Sequence, residues 1–266
     1  MSLSTILQER GLASLLENSG FKFSDTFFIY TSGKIGPYYI NSEVVTKNEN
    51  SYADTVNNIS VLISLMVGDD NYDVISGGES RDWIFSYPVA FHSRKKHVSL
   101  YKDGKIIGAD LEGKRVVHVC DLNNEGSSPR DLWIPIIRNS GGRIDNIFFF
   151  VDRLEDGVGV MRELGLERYA VVELNENAWN KLLKWNVINE EVYKSLRKRM
   201  EDKEEWAKSI LTSDKGIKKI IEYIEAPKTK KRVFNMINRG YPWLKDYIIN
   251  RLSGEGLDIV MLENDI

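Results

Sequence analysis

The sequence predicts an α/β fold with a mostly parallel sheet flanked by helices, followed by an α-helical C-terminal extension. Short β-branched runs of strand length alternate with helix-periodic runs through the first 174 residues, a pattern typical of βαβ units. From Asn175 onward, apolar residues recur at helical spacing among many charges, and the next strand-like run is Ile259–Val260. The 266 residues are 42% apolar and 28% charged, as in ordinary globular proteins.

The first segment predicts a helix, a strand and a second helix. The strand is Phe27–Tyr30, which ends at the polar turn Thr31–Lys34. Val61–Val67 fits a helix. The first helix is predicted to close near Gly20, and its apolar residues at helical spacing are Leu3, Ile6, Leu7, Leu12, Leu15 and Leu16.

Five further runs are predicted to form strands, with helices between several of them. Parallel sheets bind ligands beyond the carboxyl ends of their strands, so the polar loops that follow these strands are the candidate site. The strand-like runs are Asp73–Ser76, His97–Tyr101, Arg115–Cys120, Asn146–Val151 and Arg168–Glu173. The helical patterns lie near Trp83–Phe91, Asp131–Asn139 and Gly159–Leu164.

At Asn175 the sequence changes from alternating strand and helix patterns to helical patterns alone. This change predicts two domains, residues 1–174 and a helical extension over residues 175–266. Charged residues fill the positions between the apolar ones, and we expect these charged faces to be solvated. Two interpretations of the tryptophans stay open: they pack the extension onto the α/β core, or they form an oligomer contact. These tryptophans are Trp179, Trp185, Trp206 and Trp243.

Composition excludes several classes of protein. A net charge of −3 implies no polyanionic partner, and the single cysteine, Cys120, excludes an internal disulfide framework and suits a reducing compartment. No apolar run approaches the roughly 18 residues of a membrane span, and the N-terminus does not resemble a signal peptide, so we expect a cytoplasmic protein. Nucleic-acid binding would rest on Lys228–Arg232 alone, a basic cluster with only Phe234 nearby.

The segment Arg115–Ser128 carries the main functional prediction. Its β-branched run ends at an acid, Asp121, and the small polar turn Asn123–Ser128 leads to Pro129 and a helix-periodic run. Backbone N–H groups of such a turn, together with the positive end of the helix dipole, favour a bound phosphate. The acid can accept hydrogen bonds from ribose hydroxyls, so the segment predicts a site for a phosphorylated ribose.

Four blocks of the sequence resemble orotate phosphoribosyltransferases, which are type I phosphoribosyltransferases. The resemblance covers roughly the first 175 residues, and each block is weak alone but occurs in the family's order. The blocks are Thr31–Asn41 (TSGKIGPYYIN), Ser76–Trp83 (SGGESRDW), the run from Arg94–Lys95 through Ser128, and Val151–Gly157 (VDRLEDG).

The resemblance implies a type I phosphoribosyltransferase fold that binds phosphoribosyl diphosphate or a nucleotide, with Mg²⁺ as cofactor and a homodimer as assembly. It leaves the metal ligands unspecified. Implied catalytic residues are Arg94, Lys95 and Asp121. Implied phosphoribosyl and diphosphate contacts are Arg81, Asn123, Asn124, Glu125, Gly126, Ser127 and Ser128. Implied base contacts are Tyr38, Tyr39 and Arg153.

The sequence differs from the family pattern at several positions that the family uses for binding or catalysis. The family has two adjacent acidic residues at the end of this strand, and Cys120 stands in place of the first. A thiol is a poor hydrogen-bond acceptor and a poor ligand for a hard metal ion. Glu125 would repel a bound phosphate if its side chain pointed inward. Asn124 replaces a threonine, and Thr31 replaces a lysine. In the family's catalytic loop, Val98 and Leu100 stand in place of a lysine and a histidine, and the nearby residues that could substitute for them are His97 and Lys102.

Two functional hypotheses follow. The first is a phosphoribosyltransferase acting on orotate or another base, and the second is a non-catalytic relative that binds a nucleotide and uses its helical extension to signal or to bind a partner. Plain structural roles also stay open for the candidate residues. Gly77–Gly78 would be a tight turn, Arg153 a surface ion pair, Arg94–Lys96 a solvated basic run, and Trp83 a core anchor rather than a base-stacking platform.

Overall fold

The computed structural model of the protein describes residues 2–257, which fold as two compact units. Among the described residues, the first unit contains residues 2–20 and the segment Asn41–Ala178. The second unit contains Phe21–Ile40 and residues 179–257. The strand-like run Ile259–Val260 lies outside the described residues.

Strands and helices occur close to the predicted positions. The strands are β1 (Phe21–Ile29), β2 (Ile35–Ile40), β3 (Val74–Gly78), β4 (Lys96–Leu100), β5 (Ile106–Gly108), β6 (Arg115–Asn123), β7 (Arg143–Asp152) and β8 (Glu167–Glu173). The helices are α1 (Leu3–Glu17), α2 (Glu49–Met66), α3 (Arg81–His92), α4 (Ile134–Asn139), α5 (Gly157–Glu163), α6 (Glu176–Lys184), α7 (Glu190–Glu201), α8 (Lys203–Leu211), α9 (Asp214–Glu225), α10 (Pro227–Asn235) and α11 (Lys245–Gly254). Every helix among residues 2–257 is too short or too polar to cross a bilayer.

The first unit is built on a six-stranded sheet with the order β5-β4-β3-β6-β7-β8. β5 is antiparallel to β4, and the remaining pairs are parallel, which confirms the predicted mostly parallel sheet. From β3 the chain adds strands on one side, and from β6 it adds strands on the other. The carboxyl ends of β3 and β6 therefore form the switch point at which α/β sheets bind their ligands.

Helices cover both faces of this sheet. On one face, Phe85 of α3 packs against Phe150 of β7 with ring centroids 5.3 Å apart. On the other face, Trp133 and Met161 join the apolar core formed by β3, β4 and β6. Coverage on both faces explains why three consecutive residues of β7, 148–150, are all buried.

The second unit combines the β1–β2 hairpin with the helices that follow Trp179. The hairpin was predicted only as the strand Phe27–Tyr30, because the glycine and proline of its second strand mask the strand pattern. Trp179 and Trp206 are buried, whereas Trp185 and Trp243 are 37% and 53% exposed. The division of the chain into domains at residue 174 stays a prediction.

Candidate functional site

Asp121 lies at the carboxyl end of β6, the strand beside the switch point. Its carboxylate oxygen Oδ2 accepts a hydrogen bond from Ser42 Oγ at 3.0 Å. Its backbone N–H donates to Oδ1 of Asp82 at 3.0 Å. The strand extends three residues beyond the predicted end at Cys120, so Asp121 is held by the sheet as well as by these two contacts.

Asp82 is the site residue that sequence analysis did not single out. It comes from the first turn of α3, and its other oxygen, Oδ2, accepts the N–H of Gly78 at 3.1 Å. One carboxylate thus joins the carboxyl ends of β3 and β6. The signal for it was an acid in the first turn of a helix that follows a glycine-rich strand end, a favoured position for a negative charge.

The two carboxyl groups shift each other's protonation. Burial raises the pKa of Asp82 well above its ordinary value, and the neighbouring charge of Asp121 raises it further. Burial also raises the pKa of Asp121, although the Ser42 hydroxyl and the charge of Arg81 oppose that rise. The pair consequently holds a proton more tightly than two separate carboxyl groups would.

The turn after β6 is shorter than the predicted turn Asn123–Ser128, because Asn123 belongs to β6 and Ser127 is already helical. A helical run begins at Ser127, passes through a wider turn at Pro129–Trp133 and continues as α4. Gly126 has a φ of +69°, and a Cβ atom there would lie 3.0 Å from Met161 and Val160. The N–H groups of the first helical turn have no intrahelical acceptors, which leaves them available to an anion.

Asn123 and Asn124 make hydrogen bonds within the chain, whereas the side chain of Glu125 makes none with the described residues. Asn123 is buried, and its Nδ2 donates to Asp152 Oδ2 at 3.2 Å. The backbone oxygen of Asn124 accepts the N–H of Gly157 at 2.9 Å. Glu125 is half-buried, and its side chain makes no hydrogen bond or ion pair with any residue in the described range 2–257.

Arg81 is the predicted cation that the structure brings close to Asp121. It begins α3, its side chain is 65% exposed, and its Nε lies 3.7 Å from Glu43 Oε2. Its charge lowers the pKa of Asp121, which reflects their proximity. An exposed guanidinium at this edge is suited to binding phosphate oxygens.

Arg94 and Lys95 lie away from Asp121, and their catalytic role stays a prediction. Both precede β4 and lie at the amino edge of the sheet, whereas Asp121 lies at the carboxyl edge. Five strand residues separate the two edges by about 16 Å. Lys95 instead donates to the backbone oxygen of Tyr72 at 3.1 Å and lies over its ring.

The carboxyl end of β4 carries a different lysine. Lys102 is exposed, and its backbone N–H donates to Glu79 Oε2 at 3.0 Å. The turn that follows is short, because the N–H of Tyr101 donates to the oxygen of Lys105 at 2.9 Å. His97, the other expected substitute, is held inside by Ser86 Oγ at 2.9 Å.

The glycines of the second block are explained by packing within the chain. A Cβ atom at Gly77 would lie 2.1 Å from Ser86 Oγ, and one at Gly78 would lie 2.1 Å from the Trp133 indole. Trp83 is half-buried, and its Nε1 donates to the oxygen of Gly77 at 2.8 Å. Both glycines lie within β3, so the tight-turn interpretation is wrong, and these packing contacts explain the pair without close approach of a ligand.

The predicted base contacts lie in different units. Arg153 is 8% exposed, so the surface-ion-pair interpretation is wrong for it. Tyr38 and Tyr39 belong to β2 of the second unit. Tyr38 is buried against Trp179 with ring centroids 5.2 Å apart, whereas Tyr39 is 43% exposed. Their grouping with Arg153 around a base stays a prediction.

Comparison with known proteins identifies relatives of the chain, although no protein-family model matches it. It is 27% identical over 203 residues to the orotate phosphoribosyltransferase of Staphylothermus marinus, covering 73% of this chain and 94% of that protein. It is 28% identical over 171 residues to the orotate phosphoribosyltransferase of Sulfurisphaera tokodaii, covering 62% of this chain and 84% of that protein.

Solved structures confirm the fold. The orotate phosphoribosyltransferase of Aeropyrum pernix matches with a TM-score of 0.57 and 18% identity, covering 65% of this chain and 98% of that one. UMP synthase of Leishmania donovani matches with a TM-score of 0.61 and 20% identity over 74% of this chain, which spans only 42% of that protein. The chain is therefore similar to orotate phosphoribosyltransferases at 26–27% sequence identity, and it has the type I phosphoribosyltransferase fold.

Proposed function

We propose that the chain binds the phosphorylated ribose of phosphoribosyl diphosphate or of a nucleotide at the carboxyl end of β6. One arrangement carries the proposal: Asp121 lies among the last three residues of β6, the strand beside the switch point, and the turn after β6 leads into a helix that begins at Ser127. An acid followed by unsatisfied N–H groups matches a ribose followed by its 5′-phosphate.

Each part of the ligand has a counterpart in the first unit. The Asp121 carboxylate would accept hydrogen bonds from ribose hydroxyls, and the amides of residues 125–128 would bind the 5′-phosphate. Arg81, exposed at the start of α3, would bind a diphosphate group. Glu125 would have to point away from the phosphate, which its lack of a partner among residues 2–257 permits.

Transfer of the phosphoribosyl group to a pyrimidine base is the second candidate function. It is favoured by the curated relatives, which are named orotate phosphoribosyltransferases, and it would place the chain in pyrimidine biosynthesis as a glycosyltransferase. Stabilising the departing diphosphate requires cations at the carboxyl edge. Since Arg94 and Lys95 lie at the other edge, Lys102 would have to serve with Arg81.

The altered edge favours binding over transfer. Cys120 stands where the family has an acid, and it is buried at 3% exposure. The short turn after Tyr101 leaves little chain to close over a substrate. A regulator that binds a nucleotide without turnover is thus the form of the proposal that these residues support best. A homodimer, a cytoplasmic location and base contacts from Tyr38, Tyr39 and Arg153 remain parts of the proposal.

Mg²⁺ is expected from the resemblance alone. The carboxyl groups of Asp121 and Asp82 supply oxygen donors at this edge, where Ser42 and two backbone N–H groups hold them in place. The adjacent donor is the Cys120 thiol, a soft group that Mg²⁺ does not favour. These residues do not fit a Mg²⁺ held by the protein, so the proposed binding depends on the chain's own hydrogen-bond donors and acceptors.

Thermal unfolding of the full chain with and without ligand tests the proposal. The probes are phosphoribosyl diphosphate with Mg²⁺, orotidine monophosphate and a purine nucleotide. Ligand at a hundredfold its dissociation constant adds about 2.7 kcal/mol to the unfolding free energy. For a chain of this size the melting temperature should rise by roughly 5–10 °C.

A parallel assay separates the two candidates. Incubation with orotate, phosphoribosyl diphosphate and Mg²⁺ should give no orotidine monophosphate if the chain only binds. Product formation at a rate above that of an Asp121→Ala variant would establish transfer instead. No rise in melting temperature with any of the three ligands would contradict both candidates.

A further inference from the structure

Three potential metal ligands lie together beneath the carboxyl edge of the sheet. Asp82, His118 and Cys120 each offer one donor atom, and these atoms lie within 4.8 Å of one another. All three residues are buried, with His118 fully enclosed. We propose that they form a binding site for one transition-metal ion that prefers nitrogen and sulfur ligands, with Zn²⁺ as the best match, an inference beyond the proposed ribose-phosphate site.

The backbone fixes the three side chains in place. His118 and Cys120 are two residues apart on β6 and therefore project from the same face of the sheet. Asp82 reaches them from α3, where the N–H groups of Gly78 and Asp121 hold its carboxylate at 3.1 and 3.0 Å. The donors thus come from a central strand and from a helix tied to that strand, which is a rigid base for a metal site.

The imidazole of His118 supplies an independent observation. Its Nε2 is buried and has no hydrogen-bond partner among the described residues. The atom faces Asp82 Oδ2 at 3.8 Å, which is too long for a hydrogen bond. A buried polar atom in this condition costs free energy unless something else binds it.

The other ring nitrogen determines what Nε2 can bind. Nδ1 lies 2.8 Å from Ser76 Oγ, and the Ser76 hydroxyl itself donates to the oxygen of Val117 at 3.5 Å. The proposal requires the tautomer protonated at Nδ1, in which the Ser76 hydroxyl accepts that proton and Nε2 carries a lone pair. A lone pair facing a carboxylate oxygen calls for a cation between them, and a hydroxyl that orients the opposite nitrogen is typical of metal-bound histidine.

Charge and distance both suit a divalent ion. A carboxylate, a thiolate and a neutral imidazole together carry two negative charges, which one divalent cation neutralises. Zinc bonds of about 2.0–2.3 Å place neighbouring donors roughly 3.3–3.6 Å apart. The His118–Asp82 separation of 3.8 Å requires only a small contraction, and donors that lie up to 4.8 Å apart would have to approach by about 1.5 Å. A thiol and an imidazole exclude Mg²⁺ and Ca²⁺ as the natural occupant.

Cobalt substitution of the full chain, stripped of metal and free of any affinity tag, tests the proposal. We expect about one Co²⁺ or Zn²⁺ per chain and a thiolate-to-cobalt charge-transfer band in the near ultraviolet. Because Cys120 is the single cysteine of the chain, that band assigns the sulfur ligand without a variant. A wild-type protein that binds neither ion at stoichiometric level, or binds Co²⁺ without the band, would overturn the proposal.

Variants then assign the nitrogen ligand. His118→Gln and Cys120→Ser should each weaken metal binding at least tenfold. His92→Gln is the matched control, because His92 is an exposed histidine outside the cluster, and it should bind as the wild type does. Binding that survives unchanged in a folded His118→Gln variant would overturn the assignment, and a variant that does not fold leaves the wild-type cobalt spectrum to decide.

Discussion

The backbone N–H of Asp121 donates to the carboxylate of Asp82 at 3.0 Å, which ties the carboxyl end of β6 to the first turn of α3. The same carboxylate accepts the N–H of Gly78 at the end of β3. The two strands that flank the switch point are therefore joined by one side chain. The proposed ligand would bind directly above this junction, where Asp121 is the acid with access to solvent.

Replacement of Asp121 tests its role as the ribose acceptor. Asp121→Asn keeps the shape of the side chain and an acceptor for Ser42, but it removes the charge and one acceptor oxygen. We expect the rise in melting temperature with phosphoribosyl diphosphate to fall by at least half, since a charged hydrogen bond contributes about 1.5–3 kcal/mol. Thermal unfolding with and without phosphoribosyl diphosphate measures this rise in melting temperature.

Asp131→Asn is the control for this experiment. Asp131 is exposed and pairs with its neighbour Arg130, so its variant should respond to the ligand as the wild type does. An Asp121→Asn protein with an undiminished ligand response would place the ligand elsewhere.

Lys102 and Arg94 lie at opposite edges of the sheet. Replacing each in turn tests whether the cation at the carboxyl edge or the one implied by the family resemblance binds the diphosphate. Lys102→Ala should weaken binding of phosphoribosyl diphosphate about three- to tenfold, because its charge lies at the carboxyl edge. Arg94→Ala should leave the affinity unchanged, because Arg94 precedes β4 at the amino edge. Titration calorimetry gives both constants, and the reverse order of effects would contradict the observed assignment.

Gly78→Ala tests the packing that places β3 beside Trp133. The added methyl group would lie 2.1 Å from the indole, so we expect a loss of about 1–3 kcal/mol in the free energy of unfolding. Gly159→Ala is the matched control, since a Cβ atom there meets no atom within 4 Å. It should be neutral or slightly stabilising. Urea unfolding measures both variants, and equal stabilities would refute the proposed clash.

The stability of the protein in mild acid should depend on His97. Burial lowers the pKa of His97 to about 4, whereas the unfolded chain binds that proton near pH 6.5. Between these values the unfolded state binds more protons, so the free energy of unfolding falls as the pH drops from 7 to 4. Because the ring is partly exposed, we expect a contribution of about 1–2 kcal/mol.

His97→Gln should remove this part of the acid sensitivity. The measurement is the free energy of unfolding from urea titrations at pH 7, 5.5 and 4. His92→Gln, at an exposed position, should keep the wild-type slope. A His97→Gln protein with the wild-type slope would mean that the imidazole is not held neutral.

Much of the first unit follows from local pattern. The β-branched runs ending at Ser76 and Cys120 predicted strands because buried parallel strands are nearly continuous in apolar residues. The turn after Asp121 and the helix after Pro129 followed from turn and capping chemistry. These features are set by residues close together in the sequence.

The remaining site features depend on residues that are distant in sequence. Motif matching aligned Arg94–Lys95 with the family's catalytic loop, but strand register put them at the other edge, and Lys102 at the carboxyl edge. Asp82 joins the site because its carboxylate accepts N–H groups from β3 and β6. One of these donors, Asp121, lies 39 residues away from it in the sequence. The acids near Arg153 left a surface ion pair open as an alternative to a base contact, yet tertiary packing buries this residue.

Hydrogen exchange at the turn after β6 tests the central claim most directly. Exchange of the backbone N–H groups of residues 124–128 is compared with and without saturating phosphoribosyl diphosphate. A ligand whose phosphate binds these groups should slow their exchange, while the segment around Arg94 and Lys95 at the opposite edge should be unaffected. Protection confined to any other segment, or none at saturation, would contradict the proposed site.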